Sequence, residues 1–454
     1  MKLNPEFRRN LWIELSPHRV ILLGGFLGTL FIMVWQAPAS IGGNFMGERA
    51  NLFSSTVLAT ASMLMFILIS IVWGGYQAGE SILDELRSRT WDSQKMSALG
   101  PWQMTWGKLF GATILSWYGG LICLFVYLFS RAHTDSFPFG IGIICIAMAV
   151  IVQSVNLIVA LVSTRLVKQI KGAHGLLTTV VSLAGIWYIY KGFGIGDGDN
   201  ASVFWYGQRT QALDFLVISV TSLAAWSLFG LYRMMCIELK LATVPWAWAA
   251  FAFYLAFYIG GTLTDVGDGI LAVLSVVGAV GFSISITASY LTLLIDFQDR
   301  LVLRRIRSYI GMGQWKRMFQ ELPLWCVSLA IAAAFSLLCY LLARHFPNVD
   351  TTVRNVGASA IPVWLLTSRN ILILLFFSYD AKPNKPILMT LIYVLLLDLL
   401  IPGLLNISGF GTISWVASPP VMEKPLLSAV IAIIHILIIS CLCWQRYQRN
   451  VMPH

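Results

Sequence analysis

The sequence predicts an all-α polytopic membrane protein of about twelve transmembrane helices. Three observations carry this. Hydrophobic residues make up 57% of the 454 and charged residues only 11%, whereas a soluble domain averages about 25% charged, so the chain lacks the polar surface to face water on all sides. Apolar runs close to the ~20 residues needed to cross a bilayer recur along the whole length. Lys and Arg cluster in alternate loops: twenty-three of the 31 fall on one side, seven on the other, and Arg369 lies within a run. The richer side is expected in the cytoplasm, with both termini. The net charge of +10 then follows from topology, and no nucleic-acid partner is implied.

The elements follow in chain order. Residues 4–18 read as an amphipathic helix. Asn4 suits its N-cap and Pro5 its first turn. Phe7, Leu11 and Leu15 share one face with Arg8 and Arg9 on the flank, so the helix is expected to rest in the membrane interface. No small-residue cleavage site follows, and no removable signal is expected. Spans are predicted at 19–37, 56–78, 105–130, 138–164, 173–190, 212–233, 244–264, 270–295, 322–343, 356–379, 387–404 and 425–445. Seventeen Trp and fifteen Tyr suit interfacial aromatic belts. The seven scattered Cys read as small buried hydrophobes. The outer loops 191–211 and 405–424, each with a Gly-Phe-Gly and a Trp, are expected to hold short interfacial or re-entrant helices.

The polar stretch 79–108 organises the first half. It carries Glu80, Asp84, Glu85, Arg87, Arg89, Asp92, Lys95 and Lys108, too many for a hairpin turn and too patterned for a slack linker. It reads as a cytoplasmic helix-turn unit that touches a soluble partner, with Trp91, Met96, Leu99 and Trp102 as apolar anchors. A second long stretch, 296–321, matches it in position and length but is more basic, with Arg300, Arg304, Arg305, Arg307, Lys316 and Arg317. A charge run beside a membrane also suits anionic lipid.

Three echoes suggest a duplication. Ile13-Glu14-Leu15 precedes the first span and Ile237-Glu238-Leu239 the seventh. Gly100-Pro101-Trp102 corresponds to Gly313-Gln314-Trp315, and Gly192-Phe193-Gly194 to Gly409-Phe410-Gly411. Residues 1–235 and 236–454 are thus expected to be two six-span halves. An even span count makes such repeats parallel, related by an axis along the membrane normal.

The order of an N-terminal amphipathic helix, two spans, and then an acidic-Arg-Thr-Pro-Gly-Lys segment before span three resembles the ABC-2 type transporter permeases. The matching residues are Glu85, Arg87, Thr90, Pro101 and Gly107-Lys108, with Arg89 standing where the family often has Gly. In the second half Asp299 and Arg300 match the start, while Pro and Gly-Lys are missing. The resemblance implies a membrane subunit whose 79–108 segment couples to a cytoplasmic ABC ATPase subunit, itself acting as a dimer. Glu85, Arg87, Thr90, Trp91, Asp92, Pro101, Trp102 and Lys108, with Asp299, Arg300 and Trp315 of the second half, are the expected coupling residues. ATP and Mg²⁺ would sit in that partner; this chain needs no cofactor, catalytic residue or metal of its own. It also implies a bacterial inner-membrane setting, export of an unidentified substrate, and room for self-association.

Other chemistry finds little support. Gly100 to Gly107-Lys108 has six intervening residues where a Walker A loop has four, and Leu109 stands where Ser or Thr must meet Mg²⁺. The six His lack metal-ligand spacing. Arg369 and Asp398 each fall in mid-span, and spans ten and eleven should pack antiparallel. An intramembrane pair is expected, because an isolated Arg at that depth costs at least ~2.5 kcal/mol. The competing readings are a twelve-span secondary carrier of the major facilitator kind, whose hallmark loop after span two is missing here, and a non-transporting membrane scaffold.

Overall fold

The computed structural model describes residues 4–41, 48–97, 99–131, 138–166, 202–241, 243–264, 269–296, 302–345, 351–380, 386–409 and 423–450, with a few isolated positions between 410 and 422. Ten helices among them are long and apolar enough to cross a membrane. The chain is a helical, multi-pass membrane protein. The expected span at 173–190 lies outside the described residues. The expected span at 244–264 is a 17-residue helix, Trp246–Thr262, which rises only about 25 Å against a hydrocarbon core of about 30 Å.

The chain divides into two compact units. One comprises Met1–Val203 and Thr210–Thr243; the other comprises Phe204–Arg209 and Val244–His454.

In the first unit the N-terminal helix Pro5–Glu14 is capped as its sequence suggests, Asn4 Oδ1 accepting from the Glu6 N–H at 3.1 Å. Phe7, Leu11 and Leu15 are half-buried. Glu6 and Asn10 are the buried pair, while Trp12 and Ile13 are largely exposed. Polar groups turn inward because the neighbouring elements offer them buried partners, described below.

The second span does not stop at residue 78. It continues to Arg87 as one 33-residue helix, Ser55–Arg87, interrupted by a π-helical segment at Ile67–Trp73. Helix Pro101–Trp106 passes through a second π segment, Gly107–Gly111, and then into Ile114–Arg131. Pro17–Gln36, Phe139–Ser163 and Ala212–Glu238 complete the described spans of this unit. One apolar core joins Leu27, Phe66, Cys123, Val152 and Val220. A second, at one end, joins Ala78, Ile82, Trp91, Met104, Leu157 and Leu231.

In the second unit, helices Ile270–Asp296, Leu324–His345 and Thr351–Ser378 pack around Val277, Phe282, Phe335, Cys339 and Ala360. The C-terminal helix Pro425–Asn450 is fastened where Arg446 pairs with Asp380 at 3.0 Å and Asn450 Nδ2 donates to the Tyr379 carbonyl at 2.9 Å. Among the described residues, Pro386–Ile407 is the least buried candidate span, with 6% of its apolar window covered.

Of the outer loop 191–211, 191–201 lie outside the described residues, and residues 202–211 are extended where a short helix was expected. They form a two-stranded hairpin, Ser202–Trp205 and Gln208–Gln211. Tyr206 and Gly207 both take positive φ, 50° and 74°, the signature of a type I′ turn that suits strand twist. The Tyr206 hydroxyl donates to the Phe257 carbonyl at 2.7 Å, and Trp205 Nε1 to the Tyr258 carbonyl at 3.2 Å.

Candidate functional site

The site grows from the end of the Ser55–Arg87 helix. Its last turn closes on Arg89, whose φ is +59°, and Thr90 N–H donates to the Glu85 carbonyl at 2.9 Å. A helix that ends this way usually has Gly at the left-handed position. The turn sends the chain back into a short helix, Trp91–Lys95. The Trp91 ring therefore enters the unit's own core and is only 3% exposed.

Glu85 faces inward from the preceding helix and gathers three donors. Arg9 Nη2 lies 2.7 Å from Oε1 and Gln94 Nε2 lies 2.6 Å from it. Lys108 Nζ pairs with the same oxygen. Lys108 also reaches Glu6 Oε1 at 3.1 Å and sits 5.8 Å from the centre of the Trp91 ring. Its side chain is 1% exposed and that of Glu6 3%. Two carboxylates thus face two cations, Lys108 and Arg9, and the charge balances inside the fold. Breaking such a group by removing one partner typically costs several kcal/mol, because a charge is left buried.

The N-terminal helix reaches this group because Gly107 lets it. A Cβ at Gly107 would fall 2.6 Å from Glu6 Cγ. The Gly107 carbonyl, at the start of the π segment, accepts from Asn10 Nδ2 at 3.0 Å. Asn4 Nδ2 donates to the Gln103 carbonyl at 2.6 Å. Gly107 and Lys108 therefore act as a pair, the glycine admitting the helix whose glutamate the lysine holds.

The outer side of the segment is different. Met96 is 88% exposed, Trp102 51% and Trp106 42%. Pro101 opens the helix that carries Trp102, and Gly100 N–H donates to Gln103 Oε1 at 3.1 Å. Trp102 lies edge-on to Tyr232 at 5.8 Å. Arg87 pairs with Glu80 at 2.8 Å and Asp84 at 2.7 Å. Asp92 pairs with Lys95 at 2.8 Å, and that hydrogen bond holds its carboxyl below the usual aspartate value.

Of the expected coupling residues, Glu85 and Lys108 meet directly. Thr90 shapes the turn between them, and Arg87, Asp92 and Trp102 lie on the outer side. Trp91 differs from its expected role as an anchor for a partner, since it is spent on the internal core. Asp299 and Arg300 lie outside the described residues. Trp315 is 57% exposed at the start of helix Trp315–Gln320.

Sequence reading missed Glu6, Asn10 and Gln94. Glu6 and Asn10 are four residues apart and so share a helical face. That polar stripe was visible, but the apolar stripe of Phe7, Leu11 and Leu15 drew the assignment. It also missed a second buried node. Gln153 Oε1 accepts from Trp117 Nε1 at 3.0 Å, and its Nε2 donates to the Ser70 carbonyl at 2.9 Å. Ser70 lies in the π segment Ile67–Trp73, where the irregular ladder leaves a carbonyl for a side chain to satisfy.

Arg369 and Asp398 also meet. Arg369 is fully buried, and its Nη2 lies 2.9 and 2.6 Å from the two Asp398 oxygens. Asn370 Oδ1 accepts from Arg369 Nε at 3.1 Å, and Asn370 Nδ2 donates to the Tyr290 hydroxyl at 3.2 Å. Asp398 sits in a third π segment, Leu396–Leu400.

The first cluster is mechanical in character. Its lysine is neutralised by two carboxylates, although Glu85 Oε2 and Gln94 Oε1 are buried without a hydrogen-bond partner, and the ion pairs suit it to holding helices together. No family model, curated protein or solved structure matches the chain.

Proposed function

We propose that this chain is the membrane-spanning permease subunit of an ATP-binding-cassette exporter, with ATP and Mg²⁺ bound by a separate cytoplasmic ATPase subunit. One observation carries the reading. The segment between spans two and three is a folded unit, locked from inside by Glu6, Glu85 and Lys108 and bearing Met96, Trp102 and Trp106 outside. A rigid segment with exposed apolar anchors can transmit the closing of an ATPase dimer to the attached helices as a rigid-body movement. The ion-paired cluster would carry the N-terminal helix along with spans two and three. The reading includes a cytoplasmic position for both termini, an inner-membrane location, and two six-span halves built as parallel repeats.

The test is affinity purification of the tagged protein in mild detergent, with identification of co-purifying chains. A Walker-type ATPase is expected. It should be lost when Met96 and Trp102 are both replaced by Ala, while the permease itself remains folded. Absence of any ATPase, together with ion-gradient-driven flux in liposomes, would overturn the proposal. That result would favour a secondary carrier, with the ion pair between buried Arg369 and half-buried Asp398 as its candidate coupling site.

A further inference from the structure

The two polar segments that a permease would present to one side of the membrane are not equivalent in charge. Residues 79–108 carry four acidic and four basic side chains, most of them paired with one another. Residues 302–321 carry five basic side chains, Arg304, Arg305, Arg307, Lys316 and Arg317, against the single acid Glu321. Glu321 takes Arg305 at 3.0 Å. Among the described residues, Arg317 reaches Gln314, at 3.0 Å, and no acid. Among the described residues, Arg304 and Lys316 have no ion pair.

The segment is also built for an interface. Helix Val302–Gly311 buries Ile306, and helix Trp315–Gln320 buries Met318. All five basic residues are exposed. Between them stand Ile310, Met312, Trp315 and Phe319, 42 to 58% exposed. Rings mark the level at which it lies. Phe319 packs 6.4 Å from Trp246, the first residue of the apolar helix Trp246–Thr262. The Arg307 guanidinium covers the Trp444 ring at 5.4 Å, near the end of the last helix. Trp at helix ends favours the headgroup layer. Exposed apolar side chains interleaved with arginines at that depth match a surface that is oily on one side and anionic on the other.

We infer that 302–321 is a docking surface for the anionic phospholipid headgroups of the leaflet it faces. It goes beyond the permease reading and does not require an ATPase. The partner is a lipid surface because net positive charge, unpaired cations and inserted aromatics coincide. A protein groove would be expected to supply matching acids for a segment ion-paired like 79–108.

The test uses the full chain in nanodiscs of phosphatidylcholine alone or mixed with phosphatidylglycerol, read by amide hydrogen exchange. Exchange in 302–321 should slow in the anionic discs, while 79–108 is unchanged. High salt should reverse the effect. Each basic residue changed to Gln should shift the docked equilibrium by roughly fivefold. The set R304K, R305K and R307K keeps the charge and should keep the protection, which separates loss of charge from loss of folding. Equal exchange in both disc types would overturn the inference. So would protection that appears only when a purified ATPase is added, which would place a protein on this surface and leave the permease reading intact.

Discussion

Lys108 is enclosed between Glu6 and Glu85 with almost no contact with water, so its replacement has a definite cost. Lys108→Met should lower stability by about 3–5 kcal/mol, measured by thermal unfolding in detergent. Adding Glu85→Gln should recover part of that loss, since one stranded charge is removed. No recovery would mean that the lysine acts through packing alone. Arg89 presents the opposite case. Its φ of +59° is a left-handed conformation that costs a non-glycine residue about 1–2 kcal/mol. Arg89→Gly should therefore stabilise the protein by about 1 kcal/mol in the same assay. A loss of stability would show that the Arg side chain makes up for its backbone.

Between helices, the Arg369–Asp398 pair fastens Pro386–Ile407, the least covered of the described spans, to its neighbour. Arg369→Ala alone leaves Asp398 without its cation partner within a membrane helix and should sharply reduce membrane yield. The Arg369→Ala, Asp398→Ala double variant should recover much of it. Equal loss in both would separate the two residues energetically. The hairpin behaves differently because its anchor is a titratable donor. Burial raises the Tyr206 hydroxyl above its ordinary value of 10.0, so the folded hairpin favours the neutral phenol. Its contribution is full below the ordinary tyrosine value and is lost as pH rises through the raised one. Proteolysis within 202–211 should therefore accelerate only in strong alkali. Tyr206→Phe, which has no hydroxyl to donate to the Phe257 carbonyl, should show no such pH step.

At the scale of the whole molecule, the class of fold was legible because a bilayer imposes it. Runs of about 20 apolar residues have few alternatives to a spanning helix. The extent of the Ser55–Arg87 helix was not legible, since Gly79 to Arg87 is polar and hydropathy ends a span where the lipid ends. The backbone ends at the Arg89 turn instead. Within the site, Glu85 and Lys108 stood out through their motif and Arg369 and Asp398 through their depth. Glu6, Asn10 and Gln153 did not, because a polar residue on an amphipathic or apolar helix shows its partner only once distant helices are packed. Trp91 failed for the same reason. An aromatic in a polar segment looks like an anchor for something outside, and only the turn at Arg89 reveals that it folds inward.

The π segments have a consequence for phase. Ile67–Trp73 precedes Glu85 on one helix, and Gly107–Gly111 contains Lys108 on the next. Each wider turn holds one more residue than an α-helical turn would. Deleting a single residue within 67–73 would restore regular winding with little change of phase, because the wide turn already absorbs it; regular winding with every residue kept would instead rotate everything after it by about 100°. Glu85 would then point away from Lys108 with no change in the chemistry of either residue. The two extra residues act as a vernier, setting which side of each helix meets the other.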